Sequence, residues 1–128
     1  MSLSARRWAQ PLFMRPDPDT GQLVKMSTTE KAVLLLLAEY EHQEHGYAYP
    51  GLAKIARETC AGRSTVIEAI STLEACGYIR VERQRVGSRN LPNHYYLPHV
   101  SFELRETDER WMDAERRGMH GSHLRLAG

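Results

Sequence analysis

The chain has 128 residues and only two cysteines, Cys60 and Cys76. Two cysteines make no disulfide framework, and a reducing compartment leaves both as thiols. Long apolar runs are also missing. The longest, Ala32 to Ala38, is seven residues, against the roughly 20 needed to cross a membrane. The first residues, MSLSARRWAQ, lack the apolar stretch of a secretory signal. The expectation is a soluble, cytoplasmic protein with no membrane partner. There is no phosphate-cradling glycine loop, no GxSxG and no HExxH. No catalytic residue is therefore assigned and no cofactor is implied. The acids Asp108, Glu109, Asp113 and Glu115 read as a solvated helix face. Histidines three apart occur twice, at His42/His45 and His120/His123. With Cys60 or Cys76 they offer zinc-type ligands, but nothing orders them into a four-ligand pattern, so no metal site is assigned.

A strong charge bias is absent too: the net charge is +1. Its distribution says more than its sum. Residues 1–26 carry +2, residues 27–58 carry −2, residues 59–97 carry +2 and residues 98–128 carry −1. Between Gly77 and His94 stand four arginines, Arg80, Arg83, Arg85 and Arg89, against one acid, Glu82. Local charge sets the field within a Debye length, so this segment suits phosphate better than the whole chain does.

A chain of this length suits one core with arms. Residues 1–26 read as an arm. Pro11, Pro16 and Pro18 oppose regular helix, and the DPDTG stretch at 17–21 signals a turn. Trp8, Leu12, Phe13, Leu23 and Val24 give the arm apolar surface with which to dock. Ser27 and Glu30 form a capping box, which predicts a helix from there to about Glu44. Its Ala32–Ala38 run is apolar on every side, so a second face needs cover from the arm, the C-terminal segment or another subunit. Tyr47-Ala48-Tyr49 predicts a short strand. Pro50 opens a second helix to Glu58, residues 59–62 turn, and a third helix runs from Arg63 to about Ala75. Val66, Ala69, Ile70 and Leu73 share one face of it, and Gly77 stops it. Residues 78–83 alternate as a strand, with Ile79, Val81 and Arg83 on one side. Residues 87–93 read as a loop, and His94–Leu97 as the returning strand. A helix from about Glu106 to Arg117 and a loose tail complete the chain. The divisions are an arm (1–26), a helix-turn-helix unit (27–98) and a C-terminal segment (99–128).

On a helical wheel the third helix turns Ser64, Glu68, Ser71 and Ala75 away from its core face. Arg63 and Ile67 flank that stripe on one side, Thr65 and Thr72 on the other. Small hydroxyl residues at a helix start let backbone approach phosphate. An arginine in the first turn reaches guanine edges or phosphate, Ile67 suits a thymine methyl, and Glu68 suits cytosine N4 while repelling phosphate. The base-reading candidates are Arg63, Ser64, Thr65, Ile67, Glu68 and Ser71. The backbone-contacting candidates are Thr72, Arg83, Arg85, Ser88, Arg89, Asn90 and Asn93.

Four stretches then carry a resemblance: TEKAVLLLLAEY, GYAYPGLAKIARET, GRSTVIEAISTLEACGYI and NHYYL. Residues 28–97 resemble bacterial winged helix-turn-helix DNA-binding domains. They look most like those of phage and plasmid replication initiators and small regulators, and more distantly like GntR-type regulators. The resemblance implies a mainly α fold with a small β-hairpin wing. It also implies double-stranded DNA as partner and a role in transcription regulation, replication or partition. Three positions depart from the pattern. Cys60 stands where a turn glycine is usual, Ala61 where a larger apolar residue is usual, and Gly62 where a Ser or Thr cap is common. So light a charge on the reading face suggests a homodimer held through Leu12, Phe13, Leu104, Trp111 and Met112. The rival reading is the same fold used as a protein-interaction module, with a protein partner in place of DNA.

Overall fold

The computed structural model describes residues 2–87 and 89–120; for Val86, Arg89 and Asn90 only the backbone is described. The elements are α1 (Leu3–Ala9), β1 (Met14–Pro16), β2 (Leu23–Lys25), α2 (Thr28–Tyr40), α3 (Leu52–Thr59) and α4 (Arg63–Ala75). They continue with β3 (Arg80–Val86), β4 (Arg89–Tyr96), α5 (Phe102–Glu106) and α6 (Glu109–Arg116). The architecture is a winged helix-turn-helix: three central helices and a long hairpin, with a small hairpin and short helices added at either side.

The centre is α2. Its capping box forms as expected, with Ser27 Oγ accepting from the Glu30 N–H at 3.1 Å and Glu30 Oε1 accepting from the Ser27 N–H at 3.1 Å. Such a box is worth about 1 kcal/mol. Val33, Leu34, Leu37 and Ala38 of α2 are buried, together with Ile55 of α3 and Val66, Ala69, Ile70 and Leu73 of α4. Each large aliphatic side chain withdrawn from water contributes about 1.5–3 kcal/mol, so these three helices hold the fold. The α2 helix is shorter than the sequence suggests. It ends at Tyr40 because Glu41 turns to an extended conformation, ψ 121°, and His42 bridges back to Tyr47.

The arm is not free of helix, as the prolines suggested. Ser2 caps α1, and Pro11 falls after it. Ala5 and Ala9 are fully buried in the common core, and Trp8 and Leu12 pack on it. This covers the second face of α2. Lys31 of α2 reaches back to donate to the carbonyls of Ala9 at 2.8 Å and Gln10 at 2.7 Å, and to that of Leu12. One ammonium thus satisfies the open C-terminal end of α1. Burial holds the Lys31 pKa below its ordinary value. Arg15 of β1 pairs with Glu30 at 2.7 Å, and the Tyr78 hydroxyl donates to the Met14 carbonyl at 2.9 Å.

The hairpin is longer than expected. Residues 89–93, read as loop, belong to β4, which pairs antiparallel with β3 from Arg80↔Tyr96 to Val86↔Arg89. The register shifts between Glu82 and Gln84. Pro92 lies in the same stretch of β4, and a bulge is where a strand tolerates proline. Ala48 adds a bridge to Tyr95, with paired bonds of 2.9 and 2.8 Å, so the predicted 47–49 strand joins this sheet at a single residue pair.

The C-terminal segment holds two helices where one was expected. Asp108 interrupts it by capping α6, accepting from the Trp111 N–H at 3.2 Å. This carboxylate also accepts from the Ser4 hydroxyl at 2.7 Å, the Ser4 N–H at 3.1 Å and the Gln43 amide at 2.7 Å. Burial pushes the Asp108 pKa up, but these donors more than offset it and hold the group below its usual range. Glu30 behaves likewise, with burial opposed by Arg15 and Ser27. The folded protein therefore binds fewer protons than the unfolded chain, and the stability these groups contribute is complete above the unfolded carboxylate pKa values, about 4. It is lost as pH falls through the lower folded values. The melting temperature should fall as pH drops below about 4, and Asp108→Asn should flatten that fall; an unchanged acid limb in the variant would remove Asp108 from this account.

Candidate nucleic-acid interface

The turn between α3 and α4 is built from the residues that departed from the pattern. Cys60 takes the left-handed conformation, φ 57°, that a glycine would adopt without strain. Gly62 occupies the N-cap of α4 with no side-chain bond to the helix. Ile55 of α3 and Val66, Ala69, Ile70 and Leu73 of α4 are buried in the common core, which fixes which face of α4 turns outward. Gly77, φ 87°, ends α4 and leads into β3.

On that outward face Arg63, Ser64, Thr65, Glu68 and Ser71 are exposed, and Ile67 keeps 46% of its surface in water. Thr72 is half-buried. The structure thus brings all six base-reading candidates onto one helix surface. Arg63 and Glu68 have no side-chain partner among the described residues.

The hairpin candidates separate. Arg83 turns toward α4 and pairs with Glu74, both guanidinium nitrogens lying 3.4 Å from the carboxylate oxygens. Its pKa is raised by that hydrogen bond and by the Glu74 charge. Arg80 stacks over the Tyr96 ring at 4.1 Å and lies 3.6 Å from Glu82. Arg85 is exposed with no partner among the described residues. Asn93 is half-buried and donates to the Tyr95 hydroxyl at 3.4 Å. The side chains of Arg89 and Asn90, and the whole of Ser88, lie outside the described residues, as does His123.

The residues expected to join two copies differ in exposure. Trp111 is 3% exposed, stacked under Arg105 at 3.4 Å and beside His120 at 4.1 Å. Leu104 packs on the core. Both are engaged within the chain. Phe13, by contrast, is 68% exposed. It lines, with Pro11, Leu12, Met26, Ala32 and Leu35, a cleft of about 520 Å³.

Sequence reasoning missed a buried polar cluster that joins α1, the end of α2 and α5. Arg105 donates to both carboxylate oxygens of the fully buried Glu41, at 2.7 and 2.9 Å, and to Ser4 Oγ at 2.9 Å. Partners 64 residues apart give no local signal. The described residues contain no group of three or more ligating side chains placed to hold a metal ion. Among them no helix is long and apolar enough to cross a membrane.

A helix pair joined by a tight left-handed turn, with one exposed helix face beside a basic hairpin, defines a helix-turn-helix domain of the DNA-binding class. Residues 24–79 match the family described as "Helix-turn-helix domain". The chain is 33% identical over 95 residues to "Protein YmfN" of Escherichia coli (strain K12), covering 71% of this chain and 21% of that protein. The chain thus matches only about a fifth of that relative's length. No solved structure matches it significantly.

Proposed function

We propose that the chain recognises double-stranded DNA by sequence, with α4 in the major groove and the β3–β4 hairpin on the backbone. The observation that carries this reading is the outward face of α4. It presents Arg63, Ser64, Ile67, Glu68 and Ser71 to solvent, with Arg63 and Glu68 unpartnered among the described residues, while every large apolar residue of the helix except Ile67 is buried. Arg63 and Glu68 supply the donor and acceptor of base reading; Arg83, Arg85 and Arg89 supply phosphate contacts. The role is that of a transcription regulator or a replication or partition factor, acting as a homodimer. The open cleft at Phe13 supports a second copy there, while Trp111 and Leu104 do not. Half-sites then lie about one helical turn apart. Glu68, with no partner among the described residues, favours selectivity over raw affinity on the reading face, and it is also the observation that favours the rival reading as a protein-interaction module.

Binding of a mixed duplex pool at rising salt tests this reading. Affinity should fall steeply with salt as phosphate contacts release counterions, and a salt-independent or undetectable interaction with every duplex would refute it. The Glu74–Arg83 pair gives a sharper check. Its members are 35% and 67% exposed, so the pair itself adds little stability. Glu74→Gln should free Arg83 for phosphate and remove a carboxylate from the interface. Affinity for all duplexes is expected to rise roughly two- to fivefold, with a steeper salt slope and a melting temperature changed by no more than a surface pair allows. Unchanged affinity would place Arg83 away from the DNA.

A further inference from the structure

We infer that the bracket from His42 to Tyr47 is an acid-sensitive clasp that ties the helix-turn-helix to the hairpin, with His42 as its trigger. The bracket follows the end of α2 and leads through Ala48 toward α3. It closes on itself where the His42 N–H donates to the Tyr47 carbonyl at 3.0 Å and the Gly46 N–H to the His42 carbonyl at 2.7 Å. The next residue, Ala48, is buried and exchanges both backbone bonds with Tyr95 of β4, at 2.9 and 2.8 Å. That bridge is where the hairpin sheet meets the chain between α2 and α3.

The side chain of His42 holds the bracket from inside. Its Nδ1 accepts from the N–H groups of Glu44 and His45, both at 3.3 Å. A ring nitrogen that accepts carries no proton, so the closed bracket needs the neutral imidazole with its proton on Nε2. Protonation at Nδ1 turns that acceptor into a donor facing two donors. The ring also stacks on His45 at 4.2 Å and 26°. His45 continues onto Tyr47 at 5.5 Å, and Tyr47 onto His94 at 3.9 Å. The trigger thus stands at one end of a stack that reaches β4.

Most charges around His42 are committed elsewhere. In the cleft it lines with Tyr40 and Tyr49, Glu39 pairs with Arg6 at 3.1 Å, and Lys54 lies 3.9 Å from Glu58 and over the Tyr40 ring. Its chain neighbour Glu41 is bound by Arg105. Glu82, opposite His94, lies 3.6 Å from Arg80. Burial is the largest influence on His42 and holds its pKa below the ordinary histidine value. His45, Arg110 and the N-terminal ammonium act in the same direction, against the exposed Glu44. Burial also lowers the His94 pKa. The open bracket therefore takes up a proton more readily than the closed one. The clasp is fully closed above the free histidine value, about 6.5, and loosens as pH falls below it. Asp108 and Glu30 act only below about 4, so the two windows are separate.

The test is amide hydrogen exchange of the full chain at about pH 7.5 and about pH 5.5, either side of the free histidine value. It is read as protection factors, so that the intrinsic pH dependence of exchange cancels. Protection of the Ala48 and Tyr95 amides should fall roughly three- to tenfold, about tenfold being the ceiling for one histidine over that range. His42→Asn should abolish the fall, because an Asn oxygen accepts from the same two N–H groups and does not titrate. His120→Gln should leave the fall in place; it alters the buried imidazole that lies 2.5 Å from the Gln43 carbonyl. Imidazole nitrogen NMR of the wild-type chain reads the trigger directly, even where a variant fails to fold. His42 should carry its proton on Nε2 and titrate below about 6.5. The inference is overturned by no fall in protection, by a fall that survives His42→Asn or vanishes in His120→Gln, or by a His42 that titrates at or above about 6.5. The clasp does not rest on duplex recognition. Protection that falls with pH while duplex affinity holds constant would leave the clasp standing and count against the proposed contact of the hairpin with DNA.

Discussion

Arg105→Ala is expected to cost about 3–5 kcal/mol of folding stability, the usual penalty for breaking a buried ion pair by removing one partner. Glu41 is fully buried and Arg105 is 8% exposed. The guanidinium meets the carboxylate two-on-two, at 2.7 and 2.9 Å, and lies on the Trp111 ring at 3.4 Å. Removing it leaves a carboxylate with no water and no cation, and uncovers Trp111. Domains hold about 5–15 kcal/mol in all, so roughly a fifth of the total or more goes. The melting temperature should drop by roughly 10–20 °C. The double change Glu41→Leu with Arg105→Met separates the pair's net value from the penalty of breaking it. It removes both charges, and replacing a buried pair by apolar residues is often neutral or stabilising. Recovery to within about 1–2 kcal/mol of the wild-type chain is the expected result. A single-variant loss below about 1 kcal/mol would show that water reaches Glu41.

The second large effect is on recognition. Arg63→Ala should weaken binding to the preferred duplex by about 1–3 kcal/mol and relax the base preference at one position per half-site. Arg63 is the first residue of α4 and is exposed with no partner among the described residues, so its loss leaves nothing buried and unpaired. Arg85→Ala serves as the contrast. It should weaken all sequences alike and reduce the salt slope by about 1. Competition binding with preferred and scrambled duplexes distinguishes the two. If Arg63→Ala lost affinity equally on both, Arg63 would be a phosphate contact and base reading would rest on Glu68, Ser71 and their neighbours.

The parts of the fold legible in the sequence are those written in local chemistry. Ser27 and Glu30 mark the start of α2, the Val66–Leu73 spacing gives the buried face of α4, and Gly77 ends that helix. These are near-neighbour signals, and burial of the periodic residues reinforces each one. The elements that were misread depend on distant partners. The seven-residue α1 is too short to persist alone; it stands because Lys31, far along the chain, holds its last carbonyls. The early end of α2 reflects the commitment of Glu41 to Arg105. Pro92 argued for a loop, and only the register shift opposite it shows how a strand accommodates it. Asp108 read as part of a solvated helix face, whereas it is buried and caps α6, because its partners Ser4 and Gln43 are distant in sequence. Among the candidate site residues, the α4 face followed from helical periodicity alone. The pairing of Arg83 with Glu74 did not, since it depends on how the hairpin lies against α4.

Selection of bound sequences from a random duplex pool at two salt concentrations tests the central claim most directly. The account predicts an enriched site made of two related half-sites about one helical turn apart. It should persist at the higher salt with lower overall affinity, and the Arg63→Ala chain should lose part of its preference. Retention of duplex with no enrichment at either salt, or enrichment identical for the wild-type and Arg63→Ala chains, would contradict sequence reading by α4.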